Sequence, residues 1–401
     1  MSRAFDIVVA GAGPAGLAAS ALAAMQGAKV MCLTGPEKGQ DKRTMALMLP
    51  SIRLLTALGV WPGDLQQHSA ALRRLRMVDH TGGMISAPEL DFSASEMGEY
   101  AFGWNIPLKH LIPALYERAL ALGVEFVRVS ATGLEHHEHG VDVICDDGER
   151  VFAKAVFAAD GRHSQMRQAA SIRVRQWAYE QDAIVTNFSH SAEHEDMSTE
   201  YHTDAGVFTT VPLPGKRSSL VWLERPERAE QLAGLSPQAL AREIQRASRG
   251  CLGLISETTP VGRFPMRGLE AGLFARDRVY LIGEAAHVLP PIGAQGLNMS
   301  LRDAALAAEL ATEALGWGED PGANELMKRY DERRRADVAP RQRIIDLMNR
   351  SLLSDFKPFQ MARAIGIGIA GHVPFIRSRV MAEGLAQARD LPKLMQQQMA
   401  S

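Results

Sequence analysis

The chain has 401 residues, 46% of them hydrophobic and 22% charged, values that exclude a disordered, collagen-like or coiled-coil protein. Its length exceeds one typical domain, so two domains, or one large domain with insertions, are expected. Lys and Arg total 44 against 46 Asp and Glu, which leaves no basic excess to hold a nucleic acid.

The first residues run at once into an apolar strand, Ile7 to Ala10, without a charged leader or a small-residue cleavage site, so secretion is not expected. A glycine turn (Gly11 to Gly16), a helix (Leu17 to Gln26) and a second strand (Lys29 to Leu33) follow, a βαβ start. The turn fits G-x-G-x-x-G, and a strand before it with a helix after it is the context in which backbone N–H groups and a helix dipole receive a pyrophosphate. We therefore expect a dinucleotide site at Gly11, Gly13, Ala15 and Gly16. Such a site usually ends its second strand with an acid for the ribose, but Thr34 stands there and Glu37 follows three residues later.

From Val124 to Ala159 the apolar residues favour short strands, with Asp146-Asp147-Gly148 as a hairpin turn and Ala155 to Ala159 as a buried strand. Between Ile184 and Trp222, Val, Thr, Phe and Leu recur in short runs, the pattern of a second and larger sheet. Another buried strand, Val279 to Ile282, leads through Gly283 into a Pro/Gly-rich loop and an Ala-rich helix from about Gly296 to Leu315. Beyond Asn324 the pattern is helical to the end. The apolar stretch Ala364 to Ile376 is broken by His372 and Pro374 and falls short of the roughly 20 residues that a spanning helix needs.

The three cysteines, Cys32, Cys145 and Cys251, stand far apart in no metal-ligand spacing, so neither a disulfide framework nor a metal is expected, and a reducing cytoplasm fits best. Glu135-His136-His137-Glu138-His139 reads as a solvated hairpin, Leu213 to Ser218 as a turn, and Arg333-Arg334-Arg335, with Arg329, Arg341 and Arg343, as a solvated helix face.

Three further segments join the glycine turn in a telling order: Asp41-Lys42-Arg43, Ala158 to Arg167, and Gly283 to Asn298. Together they resemble the FAD-dependent aromatic hydroxylases of the p-hydroxybenzoate hydroxylase type. Tyr179 to Val185, Pro212-Leu213, Ser218 to Trp222, Asp41 to Leu47 leading to Leu58 to Trp61, and the stretch around Met381 to Leu385 resemble its ubiquinone-biosynthesis hydroxylase branch, and the likeness covers nearly the whole chain. It implies an α/β fold with a discontinuous Rossmann-like FAD-binding domain over residues 1–75, 98–176 and 265–345. A β-sheet substrate domain would occupy 76–97 and 177–264, and a helical C-terminal segment 346–401.

By the same resemblance Arg43, Asn105 and Asp160 contact FAD, as do Gly283, Glu284, Pro291, Gly293, Gly296, Leu297 and Asn298 of the third segment, while His287 is structural. The chemistry of that loop supports the assignment. An acid after a buried strand suits ribityl hydroxyls, Pro290-Pro291 stiffen the backbone beside a planar ring, and the helix N-terminus beyond would stabilise charge on a reduced flavin. Glu284 departs from the shorter Asp or Asn that the family more often carries there. For the substrate face we single out Leu47, Met48, Val211, Pro212 and Trp222; no catalytic base is identified.

The implied reaction is hydroxylation of a polyprenylated phenol. NAD(P)H reduces FAD, O2 adds at the flavin C4a, and the hydroperoxide gives one oxygen to the ring. Another small aromatic substrate, or a non-catalytic prenyl-lipid-binding flavoprotein, stays open as an alternative. A peripheral contact with the inner membrane face through Phe356 to Met381, or a biosynthetic complex, also stays open.

Overall fold

The structure is a computed structural model, and it describes residues 3–37, 39, 41–81, 87–353, 368, 373–381 and 390–396. Its first sheet has eight strands. Ala4–Ala10 lies at its centre, parallel to Val30–Leu33 on one side and to Arg150–Ala158 on the other. Val279–Leu281 and Glu125–Val127 extend the parallel order outward, and the hairpin strands Ala131–His137 and Gly140–Cys145 lean on Arg150–Ala158. Ile7, Val8 and Val9 are buried without alternation, as in a parallel sheet covered on both faces. The helices Pro14–Met25 and Gln295–Gly316 pack on each other beside it, with Ala18, Ala21, Ala304 and Ala307 buried in the same core.

The first strand begins at Ala4, ahead of the apolar run, and its helix begins at Pro14 instead of Leu17. Proline fits there because the first helical N–H has no intrahelical acceptor to lose.

The second sheet has nine strands. Its backbone is the 17-residue strand Val174–His190, paired antiparallel with Arg217–Glu224 and Gly262–Ala271. Val207–Leu213, Met197–His202, Arg74–Asp79 and Leu90–Ser93 continue the order outward. One face carries Ile184, Phe188, Phe208, Leu220 and Trp222 against the helices Pro226–Ala233 and Pro237–Ala247. The period of two sends Val185, Thr209, Val211, Ser219 and Val221 to the opposite face. His287–Val288 adds an edge strand to this sheet, which ties the Gly283–Asn298 loop to both sheets.

A small sheet of Thr44–Met48, Gly103–Pro107 and Ala70–Leu72 bridges the two large ones. Gly103 is required in it, because a Cβ there would meet the Leu47 carbonyl oxygen at 2.0 Å.

The long helix Asn324–Leu353 corrects the reading of its arginines. Arg334 is 3% exposed, and its Nε donates to Asp303 at 2.6 Å while its Nη1 donates to Asp337 at 2.9 Å. Arg329 and Arg343 are exposed, so the basic run divides between two faces of one helix. The C-terminal helix Pro374–Met381 buries Met381 against Met48, Phe92 and Phe102. Phe359, Met361, Ile365, Ile367 and Ile369 lie outside the described residues.

Candidate active site

A cavity of about 2530 Å³ opens between the sheets and runs from the glycine turn to the inner face of the nine-stranded sheet. At one end the three motif glycines do different work. Gly11, at φ +104°, lies so close to the neighbouring strand that a Cβ would sit 2.4 Å from the Ala159 oxygen, and a Cβ on Gly16 would sit 2.0 Å from the Gly11 oxygen. Those two glycines let turn, strand and helix touch. Gly13 caps the helix Pro14–Met25, lines the cavity and has nothing within 4 Å of its virtual Cβ. Its free space lies at a helix N-terminus, the place where a pyrophosphate would be bound.

Ala15, Thr34, Arg43 and Asp160 line the same cavity. The Thr34 hydroxyl is within 3.2 Å of the Gly35 oxygen, and the Arg43 guanidinium forms a two-point pair with Asp41, with Nη2 to Oδ2 at 2.6 Å. Asp160 accepts from the Gln165 and Met166 N–H groups through Oδ2, at 2.7 and 3.1 Å. Its Oδ1 is buried with no partner among the described residues, and burial pushes the carboxyl above the usual range against the Ser164 and backbone hydrogen bonds that lower it.

The second loop leaves the strand Val279–Leu281, turns at Gly283 (φ +63°) and Gly293 (φ +64°), and enters the helix Gln295–Gly316 through Ala294, itself at φ +54°. Gly283, Glu284, Pro291, Gly293, Gly296 and Leu297 line the cavity. The first N–H groups of the helix have no intrahelical acceptors, and Gln295, Gly296 and Leu297 of its first turn line the cavity. Glu284 is half-exposed, with its carboxylate 3.5 Å from Arg162 Nε.

Asn298 does not line the cavity. Its Oδ1 accepts from Met48 N at 2.9 Å and Ser51 Oγ at 2.7 Å, and its Nδ2 donates to the Ala46 and Ala294 oxygens. Its side chain ties the helix start to the strand Thr44–Met48, to Ser51 beyond it and to the loop at Ala294, so it positions the loop and has no side-chain group left for a ligand. Asn105 does line the cavity, donating from Nδ2 to the Pro212 oxygen at 3.1 Å while its Oδ1 is buried and unpartnered.

On the substrate face the structure brings Met48 and Val211 to the cavity and turns three expected residues away. Leu47 is wholly buried in the core of the first sheet, Pro212 points off the cavity face, and Trp222 packs edge-to-face on Phe208 with ring centroids 5.0 Å apart. Each stands next in sequence to a cavity residue, so strand alternation explains all three. Thr209, Ser219 and Val221 occupy the wall instead.

Behind the second loop lies a charged cluster that the sequence reading missed. Asp303 is fully buried on the Ala-rich helix and accepts from Gly283 N at 2.8 Å and from His287 Nε2 at 2.7 Å, with Arg334 Nε on its other oxygen. Burial alone would raise its carboxyl, but Arg334 and His287 outweigh that and hold it below the usual range. Asp337, gripped by Arg334, Arg302 and Arg341, is held low in the same way, while burial pulls the Arg302 guanidinium down to about 10. His287 is therefore a clamp on the loop. The available signal was the pair Arg302-Asp303 inside an otherwise apolar helix.

The residues present fit FAD. The space before Gly13 suits a diphosphate, and the unpartnered Asp160 and Asn105 oxygens suit hydroxyl or ring N–H donors. The chain matches the family described as FAD binding domain over residues 4–342. A ubiquinone hydroxylase, UbiL of Rhodospirillum rubrum, is 33% identical over 371 residues, covering 90% of this chain and 85% of the relative. The 3-demethoxyubiquinol 3-hydroxylase of Escherichia coli is 27% identical over 86% of this chain and 87% of its own. Among solved structures, P. aeruginosa PqsL in complex with 2-aminobenzoylacetate shares the fold at a TM-score of 0.74 and 21% identity, over 91% of this chain and 99% of that one. A cavity walled by a glycine turn, a clamped second loop and a sheet face thus coincides with relatedness along nearly the whole chain, which belongs to the FAD-binding-domain family of monooxygenases and, within it, to the ubiquinone hydroxylases.

Proposed function

We propose that this enzyme hydroxylates a polyprenylated phenol in ubiquinone biosynthesis, with NAD(P)H as reductant and O2 as oxygen source. The observation that carries the reading is the continuity of one cavity: Gly13, Pro291 and Val211, from three different segments, line the same space. A nucleotide cofactor bound at one end therefore reaches an aromatic held at the other. Bound FAD supplies the redox chemistry, taking electrons from NAD(P)H and activating O2 so that one oxygen atom is delivered to the ring.

In this reading Gly11, Gly13, Ala15 and Gly16 receive the diphosphate, Thr34 and Arg43 lie along the adenosine and phosphate side, and Asp160 and Glu284 take hydroxyl groups. Pro291, Gly293, Gly296 and Leu297 present backbone to the flavin ring, and Met48, Thr209, Val211 and Val221 enclose the phenol. The apolar side chains of Met48, Val211 and Val221 exclude water from the reacting centre, and the clamped loop holds ring and substrate in a fixed relation. The chain divides, on this view, into the FAD-binding and substrate domains that the resemblance implies.

The substrate's tail belongs in a bilayer, which gives a reason for peripheral docking. No helix of the described residues is long and apolar enough to cross a membrane, but Val373 and Phe375 on and beside the C-terminal helix are 40% and 70% exposed. Liposome flotation of Phe375→Glu against the unaltered protein tests that contact; equal binding would discard it.

The reading as a whole is tested with purified protein. It should be yellow, oxidise NAD(P)H faster when a prenyl phenol is added, and convert that phenol to a product heavier by one oxygen. A deletion strain should accumulate the unhydroxylated quinone precursor by mass spectrometry. Bound FAD without phenol-stimulated turnover, and without such a precursor, would leave the non-catalytic lipid-binding alternative.

A further inference from the structure

The hydroxylation just proposed needs a proton acceptor at the phenol, and the nine-stranded sheet offers one. The strand Met197–His202 places Glu200 and His202 two residues apart, on the same face. Glu200 lines the cavity, and among the described residues it is the one carboxylate on the strands of that sheet that does so. His202 stands behind it, donating from Nε2 to Glu200 Oε1 at 2.8 Å, with side chains only 3% and 15% exposed respectively. A carboxylate oriented by an imidazole in a nearly dry wall is a poised proton acceptor.

The surroundings favour a hydroxyl-bearing ligand. Thr209, directly opposite Glu200 on the neighbouring strand, also lines the cavity, and its Oγ1 is buried with no partner among the described residues. Met77, opposite Glu200 on the other side, is apolar. The charged groups of the adjoining strand Arg74–Asp79 are already engaged: Arg74 with Asp91 and Glu195, Arg76 with Glu89 and Asp91, and Asp79 as acceptor from the Thr81 and Ala87 N–H groups.

We propose that Glu200 accepts the proton of the substrate's phenolic hydroxyl, with Thr209 as a second hydrogen-bonding group and His202 as the positioning residue. This rests on the phenol-hydroxylase reading above. As the new C–O bond forms, the oxygen–oxygen bond of the activated O2 breaks and the other oxygen atom leaves as water; the phenolic O–H bond breaks, its electrons move into the ring, and the proton passes to the free carboxylate oxygen. When the ring carbon then loses its own hydrogen as a proton to solvent and aromaticity returns, Glu200 gives its proton back to the phenol oxygen. The oxygen atom and the electrons come from O2 and NAD(P)H, as in the parent reaction.

The experiment uses the FAD-loaded full chain, Glu200→Gln, His202→Gln and His202→Leu, with p-nitrophenol as a probe whose phenolate absorbs in the visible. A carboxylate beside the hydroxyl disfavours a second negative charge, so the pKa of the bound probe should fall by about one unit in Glu200→Gln. Turnover on a short-chain prenyl phenol should fall on the order of a hundred-fold with little change in KM. His202→Gln, which keeps a donor near the Nε2 position, should retain much more turnover than His202→Leu. An unshifted probe pKa in Glu200→Gln would overturn the assignment, as would undiminished turnover. If the FAD-loaded wild type failed to bind any phenol, the hydroxylase reading itself would fall, and this inference with it.

Discussion

The two ends of the cavity are built on opposite principles. At the nucleotide end the working groups are backbone: Gly11 and Gly16 permit contacts that any side chain would block, and Gly13 leaves the helix N-terminus open. At the sheet end the working groups are side chains, drawn from alternate positions on several strands and set against residues that face the other way. Backbone recognition needs glycines at consecutive, fixed spacings and so writes itself into a short stretch of sequence. A sheet wall is assembled from residues far apart in the chain, and each strand carries two candidate faces.

The sharpest way to break the comparison is at Gly13. Gly13→Val should fold, because among the described residues nothing beyond its chain neighbours lies within 4 Å of the added Cβ, yet lose FAD altogether, because the branched side chain fills the diphosphate space. Absorbance of the purified protein and titration of the apoprotein check it; a folded, fully flavinated variant would refute the site.

The next largest effect falls on the clamp behind the second loop. Arg334→Leu removes the cation from the fully buried Asp303, and one of three arginines from the half-buried Asp337, and should cost about 3–5 kcal/mol in a denaturation titration. The pH dependence follows from the same pair. Both carboxyls are held below their unfolded values, so their contribution to stability is present above about pH 4 and is lost as pH falls through the lowered native values. A wild-type stability that did not decline on acidification would contradict the clamp.

Glu284→Ala tests a single contact at the cofactor end. Loss of one charge-assisted hydrogen bond, roughly 1.5 to 3 kcal/mol, should raise the FAD dissociation constant ten-fold or more, and Glu284→Asp should cost less. Unchanged affinity would make Glu284 a partner of Arg162 alone. The smallest effect is expected at the sheet wall, where Thr209→Val removes a buried hydroxyl that has no partner among the described residues. Stability should rise by up to about 1 kcal/mol while phenol affinity drops, a trade measurable by denaturation and by probe binding. A fall in stability would mean that the hydroxyl serves the fold and not the ligand.

By itself the sequence determined what depends on local, contiguous chemistry. The strand, glycine turn and helix at the start were legible because three glycines and a periodic apolar pattern sit within about two dozen residues. The second loop was legible for the same reason, with its two prolines, its glycines and the long Ala-rich helix beyond. Tertiary structure decided whatever depended on which way a residue faces and on what meets it from elsewhere. Asn298 stands in the motif, yet its amide is spent on Met48, Ser51, Ala46 and Ala294, three of them about 250 positions away. Trp222 and Val221 are adjacent, but one fills a core and the other walls the cavity. Arg334 was indistinguishable from its neighbours until the fold buried it against Asp303, 31 residues earlier. Glu200 looked like an ordinary strand residue until pairing between strands set it opposite Thr209 on the cavity wall, with His202 bonded to its carboxylate. Backbone conformation is encoded by the residue that adopts it, whereas the partner and environment of a side chain are fixed only when distant segments pack.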